Sequence, residues 1–539
     1  MTHTEIFDTT LRDGPQGLHI SLSKEDHIKL FKELDNFGVD YIELGWPANA
    51  SNVDHSMIDV FKECVPLAKK SRVVAFGSTS KASNLANDRK IQSLVETGAG
   101  TACIFGKSWL EHVERDLQIT PNENLEVISR SIDFLRRNSM EVFYDAEHFF
   151  DGYKEHPEYA LQTLLRAEQA GATRLILCDT NGGSTPEQVR EITSQVFKMV
   201  NTSLGIHTHN DRGQAVANAM ACLKYVKQVQ GTMHGRGERA GNMSLAAFIG
   251  NIVEESYKLG RENPNLIGKI DSKKLKHIYE VSCFLSGIEP DETEPYVGDA
   301  AFVHKGGVHQ NAVGKGGGHL YEHVPPELFG NRRIFPLNTL GGKSSVALVA
   351  SQFGYTFDKR DPNLEGKVDA LFAELKKYEN EGYRLGTLFA EQFLLIEKYF
   401  GGMKPFFVLD MNNYHIEIGR KNGVERSSFW CPVRIDGELF VASKEVEGGP
   451  IDAADKAINE TVSKKYPGAG ELRLIDYHVS LARRNAEEST VRNLIYFENG
   501  EEFKTVGVSE NIIEAGVEAL VKGLQYHLWR TYKGRNAKL

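Results

Sequence analysis

Short apolar runs alternate with segments of helical periodicity through the first 240 residues, and this alternation limits the fold more than any other feature. The apolar runs predict eight strands, at residues 4–8, 41–45, 72–77, 101–106, 141–147, 174–180, 204–209 and 228–233. Because strands that alternate with helices form parallel sheets, we expect eight βα units in one domain. That number fits a closed (β/α)8 TIM barrel better than a doubly wound open sheet, which usually has about five or six strands.

The segments between the strands carry helix boundary signals. After the first strand, Ser23 is a candidate N-cap, apolar residues recur at helical spacing, and Gly38 ends the pattern. Residues 158–172 repeat the arrangement and again reach a glycine before the next strand. Both segments favour helices that pack on the outside of a barrel.

The rest of the chain changes character twice. Residues 292–331 are rich in glycine and histidine and predict a loop, whereas residues 362–400 predict two helices that end at a glycine pair. From residue 403, two successive segments each predict three strands and a helix, with Ile451 matching Ile512 and Ala454 matching Ala515. We therefore predict three domains: a barrel at 1–275, linker subdomains at 276–402 and a βββα-repeat domain at 403–539.

Composition excludes several classes of protein. A chain of 539 residues with 41% hydrophobic and 25% charged residues has globular values. The net charge of -10 argues against a general nucleic-acid binder, which needs a basic face. Six scattered cysteines, no long apolar stretch and no secretory signal predict a cytoplasmic protein with reduced thiols and no membrane span.

The most specific chemical signal is the stretch GIHTHND at residues 205–211. His207 and His209 are two residues apart in a strand, so their side chains point to the same side and can reach one ion. Asp13 follows the first strand and can meet them at the barrel mouth. This nitrogen and oxygen set suits magnesium, manganese, zinc or cobalt. The alternative is a pair of surface histidines and an Arg12–Asp13 salt bridge.

Polar residues follow three further strands. Glu147 after the fifth strand is a candidate general base, and Thr180 after the sixth can bind a substrate carboxylate or cap a turn. The loop at 231–242 supplies Glu238, Arg239 and Asn242. Its alternative reading is a glycine-rich closing loop, held by a salt bridge between Glu238 and Arg239.

Three motifs together resemble those of the acyl-CoA-dependent Claisen-condensing synthases, the family of 2-isopropylmalate, citramalate and homocitrate synthases. They are Asp8–Gln16, His207–Asp211 and Gly235–Asn242, and they occur in the same order. The repeated tail also resembles the family's allosteric domain, so the resemblance extends over nearly the whole chain.

The resemblance implies a role for each site residue. The implied metal ligands are Asp13, His207 and His209, with Asn242 at or near the ion. The implied substrate-binding residues are Arg12 at the carbonyl oxygen of a 2-oxo acid, Thr180 at its carboxylate, and Gln16. The implied catalytic residues are Arg12, Glu147, His309 and Tyr321. In the family's crossed homodimer, His309 and Tyr321 come from the second subunit.

The implied reaction joins acetyl-CoA to a 2-oxo acid and releases CoA. Residues 75–81, 144–154 and 301–313 most resemble the longer type of citramalate synthase, which uses pyruvate in isoleucine biosynthesis. The stretches HQN and NTLGGKSS depart from that pattern and keep 2-isopropylmalate synthase, which uses 2-oxoisovalerate in leucine biosynthesis, as the alternative. A branched-chain amino acid is the expected effector of the tail. The competing hypotheses are a metabolite sensor and a lyase that cleaves a hydroxyacyl-CoA.

Overall fold

The computed structural model describes residues 3–48, 57–260, 268–339, 342–357, 363–482, 489–500 and 502–533. The chain divides into two compact units. The first comprises Met1–Phe302 and Val324–Arg332, and the second comprises Val303–His323 and Arg333–Leu539.

Eight parallel strands close into a barrel in the first unit, which confirms the predicted fold. They are β1 (Glu5–Asp8), β2 (Tyr41–Gly45), β3 (Arg72–Ser78), β4 (Thr101–Lys107), β5 (Glu141–Glu147), β6 (Arg174–Asp179), β7 (Leu204–Thr208) and β8 (Val226–Gly231). Each strand pairs with its neighbour in sequence, and β8 pairs with β1. Strand β8 begins two residues earlier than predicted because the buried Val226 pairs with Leu204 of β7.

Helices follow the strands of this unit. They are α1 (Lys24–Phe37), α2 (Met57–Cys64), α3 (Arg89–Glu96), α4 (Leu110–His112), α5 (Pro121–Arg137), α6 (Phe149–Glu155), α7 (Pro157–Ala170), α8 (Pro186–Val196), α9 (Ala215–Cys222), α10 (Leu245–Lys258) and α11 (Leu275–Leu285). The predicted boundaries of α1 are confirmed: Ser23 and Asp26 form a capping box, and Gly38 ends the helix in the left-handed region, at φ 100°.

Alternate residues of the strands face opposite sides of the barrel wall. One set, which includes Ile6, Ile42 and Val142, packs in the cluster that also contains the apolar faces of the helices. The other set fills the barrel with an apolar layer made of Phe7, Tyr41, Val74, Phe76, Cys103 and Phe143. The candidate site is built on this layer, at the carboxyl ends of the strands.

The segment at 292–331 is not the loop predicted from its composition. Tyr296 and Phe329 pack together in the core of the first unit, with ring centroids 4.8 Å apart. In the second unit, Gly307–Gly316 form the helix α12. Glycines have low helix propensity, and their density hid this helix from a reading of the sequence.

Helices and two antiparallel sheets form the second unit. The elements after α12 are α13 (Gly342–Gln352), α14 (Leu364–Glu381), α15 (Phe389–Ile396), β9 (Phe407–Leu409), β10 (His415–Lys421), β11 (Val424–Ile435), β12 (Glu438–Glu447), α16 (Pro450–Val462), β13 (Arg473–Leu481), β14 (Val491–Glu498), β15 (Glu502–Ser509) and α17 (Ile512–Lys533). Strands β10 to β12 with α16, and β13 to β15 with α17, form the predicted βββα repeat. Ala454 and Ala515, which the repeat aligns, are both fully buried.

Within the described ranges, no helix is both long enough and apolar enough to cross a membrane. The six cysteines all lie in described ranges, where they are buried free thiols.

Candidate active site

Arg12 and Asp13 lie shortly after β1, where the chain turns over the end of the barrel. The guanidinium of Arg12 lies over the ring of Phe76, 3.8 Å from its centroid. Its Nε donates to Oε2 of the buried Glu43 at 2.5 Å, and its Nη1 donates to Oδ1 of Asp13. The adjacent opposite charges are therefore paired with each other, in a nearly buried position at the barrel mouth.

The two predicted histidines come together with Asp13. Their ring centroids are 5.2 Å apart, and Nε2 of His207 is 3.8 Å from Oδ2 of Asp13. Asn242 joins the group through a backbone bridge to His209. The closed barrel thus brings together residues from the end of β1, from β7 and from the loop after β8.

Burial keeps both imidazoles neutral near pH 7. It lowers the pKa of His207 to about 4, and the Arg12 guanidinium acts in the same direction. Burial, and next the neighbouring His207, lowers the pKa of His209 to about 2. Neutral imidazoles have the lone pairs that metal ligation requires.

Whether this group fits a metal ion can be judged from two of its buried polar atoms. Oδ2 of Asp13 and Nδ1 of His209 have no hydrogen-bond partner among the described residues. No cluster of three or more His, Cys, Asp or Glu side chains in that part of the chain is arranged to hold a metal ion, and Asp13 accepts from Arg12 instead. A carboxylate oxygen and an imidazole nitrogen left without partners still fit a divalent cation, because such donors are its ordinary ligands.

Glu147 and Thr180 lie at neighbouring strand ends. Oε2 of Glu147, the last residue of β5, is 2.6 Å from Nζ of Lys107. The Thr180 hydroxyl accepts the backbone N–H of His148 at 2.9 Å, so its own proton remains free to be donated. His148 takes a left-handed conformation, at φ 56°. The hydroxyl therefore connects the ends of β5 and β6.

The contacts that hold the glycine-rich loop after β8 differ from those that the alternative interpretation of the sequence predicted. Arg239 makes a two-pronged contact with Asp211, at 2.9 Å for each nitrogen, and its Nη2 also donates to the Thr180 carbonyl at 2.6 Å. Arg239 makes these contacts in place of the salt bridge with Glu238 that the alternative reading assumed, because β7 and β8 are adjacent in the barrel.

Three candidate residues remain: Gln16, His309 and Tyr321. Gln16 is exposed and lines a cavity of about 290 Å³ together with Arg12 and Trp46. His309 and Tyr321 belong to the second unit, where their rings stack with centroids 4.2 Å apart. Both of these side chains are exposed.

Reading the sequence missed a polar layer in the barrel directly above the apolar one. Besides the predicted His207, its members are Glu43, Asp145 and Gln230. Burial raises the pKa of Glu43 to about 7 and that of Asp145 to about 6. The available signal was strand alternation: Glu43 and Asp145 lie two residues after the inward-facing Tyr41 and Phe143.

Family models cover most of the chain. Residues 3–280 match the model described as HMGL-like, residues 296–382 match the homocitrate synthase post-HMGL domain-like model, and residues 392–528 match the LeuA allosteric (dimerisation) domain.

Curated relatives match over nearly their whole length. The chain is 39% identical over 533 residues to the (R)-citramalate synthase of Sulfolobus acidocaldarius, covering 97% of this chain and 96% of that protein. It is 40% identical over 533 residues to the (R)-citramalate synthase of Aquifex aeolicus, covering 97% and 98%. A 2-isopropylmalate synthase of Methanocaldococcus jannaschii is 26% identical over 525 residues, covering 96% and 93%. The chain therefore belongs to the HMGL-like family and, within it, to the group of citramalate, isopropylmalate and homocitrate synthases.

Proposed function

We propose that the chain is an acyltransferase that condenses acetyl-CoA with pyruvate to give (R)-citramalate and CoA. The observation that carries the proposal is the meeting of Arg12, Asp13 and His207 at the barrel mouth. We propose pyruvate as the 2-oxo acid because the sequence is 39% and 40% identical to two (R)-citramalate synthases but only 26% identical to a 2-isopropylmalate synthase.

Asp13, His207, His209 and Asn242 would hold a divalent ion, with magnesium, manganese, zinc and cobalt as the candidates. When bound, such an ion polarises the carbonyl of a chelating 2-oxo acid. The protein's contribution is to keep both imidazoles neutral and to leave Oδ2 of Asp13 available.

Arg12 and Thr180 would position the 2-oxo acid. Stacking on Phe76 and the bond to Glu43 fix the plane of the guanidinium, so its remaining N–H groups are preorganised for the oxyanion that forms at C2. Thr180 has a free hydroxyl proton to donate to the substrate carboxylate. Gln16 would bind at the rim of the same site.

Carbon–carbon bond formation needs a base. Glu147 and His309 would remove a proton from the methyl group of acetyl-CoA, and the resulting enolate carbon would attack C2 of pyruvate. The C2 oxygen takes up a proton, water cleaves the thioester, and CoA leaves as the thiol. Tyr321, stacked on His309, would orient that ring.

A homodimer is the assembly that we propose, since residues 392–528 match a dimerisation domain. His309 and Tyr321 would then act in the site of the second subunit. Isoleucine is the proposed effector of the C-terminal repeat, and the cytoplasm the proposed location.

Release of free CoA tests this function. Purified protein with acetyl-CoA and a divalent ion is assayed with pyruvate, 2-oxoisovalerate and 2-oxoglutarate, and the product is resolved on a chiral column. We expect CoA release with pyruvate, (R)-citramalate as product and inhibition by isoleucine. Faster release with 2-oxoisovalerate, inhibited by leucine, would transfer the assignment to 2-isopropylmalate synthesis. No release with any of the three acids would refute both assignments.

A further inference from the structure

We infer that Gln230 is a positioning residue that fixes the tautomer and the ring orientation of His207. Gln230 lies on β8 in the polar layer of the barrel, beside His207 of β7. The inference deepens the proposed function, because His207 is one of the proposed metal ligands. The hydrogen bonds themselves do not depend on that role.

A chain of contacts crosses the barrel from β4 to β7. Cys103 Sγ donates to Oδ1 of Asp145 at 3.1 Å, and Nε2 of Gln230 donates to the same oxygen at 3.4 Å. At the other end of the amide, Oε1 of Gln230 lies 2.9 Å from Nδ1 of His207. All four side chains are buried, so water does not compete for these contacts.

The carboxylate of Asp145 determines which group donates in each of these hydrogen bonds. Oδ1 of Asp145 accepts two donors, and it therefore faces the amino group of Gln230 and not its carbonyl oxygen. A reversed amide would place two acceptor oxygens against each other. The carbonyl oxygen consequently faces His207, which must donate from Nδ1 to satisfy it.

The tautomer decides what His207 can do at the mouth. A proton on Nδ1 leaves the lone pair on Nε2, the nitrogen that lies 3.8 Å from Oδ2 of Asp13. With the proton on Nε2 instead, a donor would occupy the position where a ligand is needed. Histidine ligands are commonly oriented in this way by the hydrogen bond of their other nitrogen.

Gln228 provides a matched control. It lies two residues earlier on β8, faces the same side of the strand and is fully buried. Its amide atoms have no hydrogen-bond partner within the described part of the chain. Gln228→Met therefore removes the same group from the same strand without touching His207.

The first experiment reads the tautomer in metal-free protein. Wild type, Gln230→Met and Gln228→Met are labelled with ¹⁵N-histidine at pH 8, where Asp145, whose pKa burial raises to about 6, is ionised. Long-range ¹H–¹⁵N spectra report which ring nitrogen carries the proton, and the signals missing from His207→Asn identify this ring. We expect Nδ1–H in wild type and in Gln228→Met, and a changed or mixed tautomer in Gln230→Met. The same tautomer in all three proteins would overturn the inference.

The second experiment measures Co²⁺ binding by calorimetry. We expect Gln230→Met to weaken binding about 10- to 100-fold and Gln228→Met to leave it unchanged. The double variant Gln230→Glu with Asp145→Asn keeps the hydrogen bonds but reverses the donor between the two positions. The new carboxylate accepts from His207 Nδ1, and the new amide donates to that carboxylate. This variant should bind Co²⁺ with restored affinity even if Gln230→Met fails to fold. Equal affinity of wild type and Gln230→Met, or no restoration by the double variant, contradicts the inference. Absence of Co²⁺ binding by wild type would count against the proposed metal site alone, since the tautomer is read without metal.

Discussion

Arg12 stacks on Phe76 with its guanidinium carbon 3.8 Å from the ring centroid, while its Nε donates to Glu43. Arg12→Lys keeps the charge and removes the planar group that makes both contacts. We expect kcat to fall by about 10²- to 10³-fold, the usual loss when one preorganised donor to an oxyanion is removed. Steady-state CoA release measures this.

The control for Arg12→Lys is Arg72→Lys. Arg72 also lies over an aromatic ring, that of Tyr41, at 5.4 Å, but it is at the start of β3, the opposite end of the barrel. Similar losses of kcat in the two variants would mean that the barrel, and not the site, is sensitive to arginine replacement.

Thr180→Val should raise the KM for the 2-oxo acid about 10-fold and leave the KM for acetyl-CoA nearly unchanged. The variant removes the hydroxyl that accepts the His148 N–H and that can donate to a carboxylate. Thr173→Val is the control, since the Thr173 hydroxyl binds Glu141 at the start of the neighbouring strand. An unchanged KM for the 2-oxo acid in Thr180→Val would remove this residue from the substrate site.

Chelation should abolish CoA release reversibly. After dialysis against EDTA, we expect no turnover, an intact circular dichroism spectrum, and recovery when a divalent ion is added. Ion binding should also raise the melting temperature, because a ligand that binds only the folded state stabilises it. Asp13→Asn should lose this rise and Asp40→Asn, which alters a contact with His3, should keep it. A rise in Asp13→Asn equal to that in wild type would place the ion elsewhere.

Asp8 predicts a pH-dependent stability. Complete burial raises the pKa of this carboxyl from its ordinary range to about 7, although it accepts two hydrogen bonds from Thr10. The folded state therefore binds a proton more tightly than the unfolded state. This contribution to stability is fully present below about pH 4 and is lost as the pH rises from there to about 7.

The measurement compares melting temperatures at pH 5 and pH 8. We expect wild type to lose about 3 kcal/mol through Asp8 over this interval, and Asp8→Asn to show a smaller fall in melting temperature. Asp133→Asn changes an exposed carboxylate and should behave as wild type. An equal fall in Asp8→Asn and wild type would show that Asp8 is ionised in the folded protein.

Subunit mixing tests where His309 acts. Asp13→Asn and His309→Ala should each be inactive as pure proteins. If two subunits share each site, refolding an equal mixture gives half heterodimers with one intact site each, or about a quarter of wild-type activity. Activity that stays at the level of the pure variants would mean that each subunit builds its own site.

Much of the barrel could be predicted from the sequence because apolar runs report buried strands directly. The proximity of His207 and His209 could also be predicted, because their spacing in a strand places them on one face. The polar layer was missed because it depends on the contact between Asp145 and Gln230. These two residues are far apart in the sequence, and only the closure of the barrel brings them together. Likewise, Arg239 after β8 contacts Asp211 after β7, and no short sequence pattern predicts a contact between residues of different loops.

The pairing of β8 with β1 has a consequence for the order of events during synthesis. Glu5 and Gln228 are neighbours in the closed barrel, yet the ribosome makes them more than two hundred residues apart. Strand β1, which precedes Asp13, therefore keeps an unpaired edge until β8 has been synthesised and pairs with it. Contacts between residues so distant in sequence form late in folding. The ability to capture a cation would mark the completion of the barrel, so a stalled or truncated nascent chain should have no such affinity.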